Sequence, residues 1–155
     1  MKRSFPALTM ASFLVTIFGA CQRDAAAPPK ECLPYPAELT LTFSGGLLRQ
    51  DMRLANAWAV KSDKPMSNAS TPAYFLSADI VAPNGEAVVG TWVTDDITKD
   101  GHIYSVSPQA IKYSKWGGVG DPSTAGMSME TGGAKQSIDC VLTHRGKAAQ
   151  AGVTP

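Results

Sequence analysis

Charge and histidine are both scarce in this sequence, and each scarcity removes a class of function. There are 14 basic and 13 acidic residues in 155, and only two histidines, His102 and His144. A chain so balanced has no polybasic stripe to neutralise phosphates, so no nucleic-acid partner is expected. The histidines form no pair at metal-site spacing, no Gly-x-Ser-x-Gly elbow is present, and no glycine-rich loop with a lysine cradles a phosphate. No second apolar run after the first 20 residues is long enough to span a bilayer. Without a nucleophile paired to a base, an enzymatic reading has no mechanism to name, and the chain leans towards a non-enzyme.

What is present begins with an address. Lys2 and Arg3 are followed by no acidic residue until Asp24, and Phe13-Leu14-Val15-Thr16-Ile17-Phe18 forms an apolar run too short for a spanning helix. Small residues, Gly19-Ala20, close it, and Cys21 follows at once. A positive start, a short apolar stretch and a small-residue end are the three parts of a secretory signal. With the cysteine added, residues 1–21 resemble the bacterial lipobox, departing from its usual leucine at Phe18. The resemblance implies a signal peptide over 1–20, palmitate-type acylation of Cys21 and a lipoprotein held in the cell envelope, facing the periplasm. It also implies the outer membrane in a two-membrane cell, because Gln22 is not the aspartate associated with inner-membrane retention. An ordinary cleaved signal, with Cys21 a passenger, is the alternative.

The cysteine count bears on that choice. In an oxidising compartment Cys32 and Cys140 can pair, which leaves Cys21 odd and in need of a role that acylation supplies. The overall pattern is similar to small disulfide-containing envelope lipoproteins, none of known activity. Residues 21–36, with Pro28 and Pro29, read as anchor and tether; 37–144 as one globular domain; 145–155 as a flexible tail.

Within the domain, alternation predicts a strand over Glu38–Phe43, with Leu39, Leu41 and Phe43 on one face. A short helix is expected over Leu47–Leu54 and a strand over Asn56–Lys61. The clearest element is a hairpin, Ala73–Ala82 and Ala87–Thr94, joined through Asn84-Gly85, a pair that tolerates a tight turn. Large apolar residues on both faces mark these strands as central. A strand at Ile103–Ser105 precedes a helix that Ser107 caps, Pro108 opens and Gly117 closes. Gly117–Gly133 reads as loop, with a short strand at Met127–Glu130, and Ala134–Leu142 as helix, a final strand being the alternative. The expected class is α+β: a mainly antiparallel sheet of four or five strands, one to three short helices and a disulfide clasp. An all-β sandwich is the alternative.

Two surface features are candidates for chemistry. Asp96, Thr98 and Asp100, followed by Gly101, resemble the first half of a calcium-binding EF-hand loop, though position twelve is Ser107 rather than glutamate. A polar turn accounts for the same residues, so no cofactor is expected beyond that calcium candidate. Tyr113 and Trp116 form the candidate binding surface, the other aromatics being read as core. Function is expected to be that of a non-enzymatic binding or structural module with a protein partner in the envelope. The alternatives are an immunity-type protein that neutralises an exported toxin, and an envelope hydrolase or accessory domain using Asp95, Asp96 and Asp100.

Overall fold

A computed structural model describes residues 30–66, 72–99, 101–118 and 126–150, the side chains of 146–150 excepted. The fold is α+β. Five antiparallel strands form one meander in the order β1 to β5: β1 Leu33–Pro34, β2 Arg53–Lys61, β3 Tyr74–Val81, β4 Ala87–Thr94 and β5 Ile103–Ser105. Helices α1 (Ala37–Ser44) and α2 (Pro108–Tyr113) cover one face of the sheet, and α3 (Ala134–Gln150) covers the other.

The hairpin forms as its sequence predicts. Tyr74 pairs with Thr94 and Val81 with Ala87, an unbroken register. Gly85 takes a φ of 84°, and the Asn84 side chain accepts the Glu86 amide hydrogen. Both faces of β3 are covered, so residues 75–80 are all buried. Even members of β3 face α1 and α2; odd members face α3.

Residues 38–43 depart from expectation: they are helix, not strand. Leu39 and Phe43 lie four apart, so the alternating pattern also satisfies a helical face, and Leu41 is left 74% exposed. The intervening hydroxyls turn back on the helix. Thr40 donates to the Pro36 carbonyl, Thr42 to Glu38 and Ser44 to Thr40. Ser44 Oγ then accepts the Leu54 amide hydrogen at 3.0 Å, which fastens the end of α1 to the start of β2.

The helix expected over Leu47–Leu54 is absent. Leu48 N–H donates to the Tyr113 carbonyl and Lys115 N–H to that of Gly46, so the start of this stretch bonds a distant segment, and only a single turn, Met52 N–H to the Arg49 carbonyl, forms within it. The same bridge ends α2 early. Ser107 caps it as predicted, accepting from Ala110, but Ser114 turns extended to pair with Leu47, well before Gly117. No strand forms at 127–130. Helix α3 runs past Leu142 to Gln150, into the segment read as tail.

Cys32 and Cys140 are bonded, and they join the chain just before edge strand β1 to the middle of α3. Their separation of 108 residues corresponds to roughly 4–5 kcal/mol in the chain-entropy model. Among the described residues no helix is long and apolar enough to cross a membrane.

Candidate functional site

The two sides of the sheet carry different chemistry. On the α1/α2 side the core is aromatic. Phe43 stacks on Trp116 with centroids 4.2 Å apart and meets Trp92 edge-on at 4.9 Å. The Trp92 indole N–H donates to Ser114 Oγ at 3.0 Å, so the one polar atom of that buried ring is satisfied. A Cβ at position 46 would overlap the Trp116 ring, and only glycine there lets the indole lie where it does. Trp116 and Lys115 edge a shallow cavity of about 290 Å³ with Tyr35, Phe43 and Ile103. A second, of about 460 Å³, lies between Leu41 on α1 and the outer edge of β2.

On the α3 side polar groups are buried. Ser77 Oγ, on β3, is bonded to Thr91 across the hairpin at 2.8 Å and to Ser137 on α3 at 2.7 Å. Small residues at Ala134 and Ser137 let the helix come this close to the strands. Towards the helix C-terminus sits a carboxylate, Asp79, 7% exposed. Arg145 engages it with both Nε and Nη2. The Asn56 amide donates to Asp79 and also to the Val141 carbonyl, at 3.2 and 2.9 Å.

Asn56 reaches both partners because β2 bulges between Ala55 and Trp58, where Asn56 takes a φ of 49°. Asparagine tolerates that left-handed conformation better than most residues. Its carbonyl oxygen accepts from the Trp58 indole at 2.8 Å, and the Trp58 ring stacks on His144, centroids 3.5 Å apart. Sheet, bulge and helix are thereby joined by five side chains. Sequence reading missed this cluster, since Asp79 and Arg145 stand 66 residues apart; the asparagine in an otherwise apolar strand was the available signal.

The loop after β4 arranges the candidate calcium residues as a self-bonded turn. Asp96 Oδ1 accepts from the Thr98 amide and hydroxyl and from the Lys99 amide. These bonds, the Thr98 amide first, hold its carboxyl below the ordinary carboxylate pKa. Asp100 lies outside the described residues. Asp95 accepts from the backbone N–H of His102 and lies 2.8 Å from that ring's Nδ1. Among the described residues no three His, Cys, Asp or Glu side chains converge on a metal position.

The other sequence candidates are placed as follows. Cys21 lies outside the described residues. Tyr113 is half-buried at the end of α2, beneath Lys112 Nζ at 5.0 Å from its ring. Trp116 is half-buried too, its ring already stacked on Phe43. Comparison with protein-family models, with curated proteins and with solved structures yields no match to this chain.

Proposed function

We propose that this chain is an exported lipoprotein, anchored through Cys21, whose domain serves the cell envelope as a non-enzymatic binding module for a protein partner. One observation carries the anchor: Cys32 and Cys140 are bonded to each other, so the remaining cysteine is the one that ends the lipobox-like segment. A disulfide across 108 residues also suits an oxidising compartment. The module reading is supported by how the polar side chains are used. Ser77, Thr91, Ser137, Asp79 and Arg145 bond one another and hold α3 against the sheet.

Metabolic labelling with a palmitate analogue is expected to mark the protein, and Cys21→Ala is expected to abolish the mark and release the protein from the membrane fraction. Unlabelled, fully soluble wild-type protein would overturn the anchor. Pull-down from detergent-solubilised envelope tests the second half: a stoichiometric protein supports the module, whereas stabilisation by sugar or metal alone favours an accessory or hydrolytic role.

A further inference from the structure

The bridge that ends α2 also builds a surface. Gly46–Leu48 runs beside Tyr113–Lys115, joined by Leu48 N–H to the Tyr113 carbonyl and Lys115 N–H to that of Gly46. This brings side chains from two distant segments together. Leu48 is 61% exposed and Ile111, one turn back on α2, 46%. Lys112 lies over the Tyr113 ring, and Lys115 reaches the Gly45 carbonyl at 3.4 Å. Arg49, exposed and next to Leu48 in the chain, completes the group. The one acid in residues 45–51 and 107–118 is Asp51, and Arg49 already pairs with it. Lys112 and Lys115 are therefore left without a carboxylate among the described residues.

Exposed leucine and isoleucine, a tyrosine, and lysines with long apolar stems make up the composition suited to a membrane interface. The opposite side is unlike it. Its charges are of both signs: Lys135 pairs with Glu130, Arg145 with Asp79, and Asp139 is exposed. Leu142 is the large apolar residue exposed there.

The tether says what can meet the patch. Nine residue steps separate Cys21 from Lys30, at most about 30 Å when fully extended. A lipid at Cys21 would hold the domain within that reach of the bilayer, where even a weak contact is favoured by proximity. We infer that the patch of Leu48, Arg49, Ile111, Lys112, Tyr113 and Lys115 docks on the anionic leaflet that carries the anchor, leaving the α3 side facing away from the membrane. The inference rests on the anchored reading for its geometry. Lys112 and Lys115 meet anionic headgroups; Leu48 and Ile111 enter the interfacial zone.

Amine footprinting of the processed full chain tests it. The protein is reconstituted in vesicles of phosphatidylcholine alone or with phosphatidylglycerol, and an impermeant amine reagent is added outside. Mass spectrometry then reads each lysine. Phosphatidylglycerol is expected to slow modification of Lys112 and Lys115 by about fivefold, with Lys135 unchanged. Leu48→Glu is expected to restore the phosphatidylcholine rates while leaving the near-ultraviolet spectrum of the aromatic core intact. Equal rates for Lys112 and Lys115 in both vesicles would overturn the inference, as would equal slowing at Lys135. Flotation with the vesicles reports the anchor separately. Protein that stays behind overturns the anchored reading and the inference with it, whereas protein that floats with unchanged lysine rates overturns the inference alone.

Discussion

The two faces of the sheet bury similar elements by different means. Under α1 and α2, Phe43, Trp92 and Trp116 fill space ring against ring, and Trp92 is wholly buried. Such packing is sensitive chiefly to volume, with one directional contact, the Trp92 indole N–H to Ser114 Oγ. Under α3, Ser77, Thr91 and Ser137 form a bonded line, and Asp79 is met by Arg145 and Asn56. That face depends on direction: each group must find its partner, because a buried polar atom without one is costly. The α1/α2 face is dominated by rings; the α3 face adds to its apolar cluster of Phe75, Val93 and Ala134 a line of bonded polar groups between sheet and helix.

Substitutions can break this contrast. The largest expected effect is on the aromatic face, where Trp92→Ala removes a fully buried ring and leaves a cavity, at a cost of about 3–5 kcal/mol in urea unfolding. Arg145→Ala comes next. It strips the main partner from a carboxylate that is 7% exposed, although Asn56 stays and the arginine is itself 42% exposed. About 2 kcal/mol is expected, below the range for a fully buried pair. Arg145→Lys should recover only part of it, since an ammonium cannot match the two-nitrogen contact. Smallest is Ser77→Ala, at about 1 kcal/mol, which leaves Thr91 and Ser137 each short of a partner. A neutral or stabilising result there would show the α3 face to be another volume-filled core, and the contrast would fail.

Much of the scaffold was legible. Asn84-Gly85 between two runs rich in β-formers yields the hairpin, which closes over Pro83–Gly85 with the Ala82 N–H donating to the Glu86 carbonyl and Gly85 at positive φ. Ser107-Pro108 yields the start of α2 for a similarly local reason, the cap bonding a group three residues on. The disulfide was expected from the cysteine count together with the export that the lipobox-like segment implies, and Cys32 and Cys140 are bonded. Residues 38–43 were misread because leucine, threonine and phenylalanine at those spacings satisfy either period, and the hydroxyls that close the helix bonds give no outward sign. The Leu47–Leu54 stretch failed otherwise: Leu47 and Leu48 pair with the distant Ser114 and Tyr113, and Arg53 and Leu54 join β2 against β3. The same bridge assembles the cationic, apolar patch, so that surface was hidden for the reason the helix was wrongly expected. Trp116, read as a candidate for contact, is held by Phe43 and Gly46; Tyr113 sits within the patch.

Local chemistry by itself thus determined the hairpin, the cap of α2 and the central place of β3 and β4, and the cysteine count with the lipobox-like segment pointed to the pairing of Cys32 with Cys140. Each depends on neighbours in the chain or on a count. Tertiary structure alone decided that 37–44 coils, that Asn56 bends β2 towards Asp79 and Val141, and that Arg145 joins helix α3 and pairs with Asp79 rather than lying in a tail. The helix depends on burying Leu39 and Phe43 against the sheet, and the other two on hydrogen bonds between residues far apart in sequence, whose free energy exists only once the fold has brought them within reach.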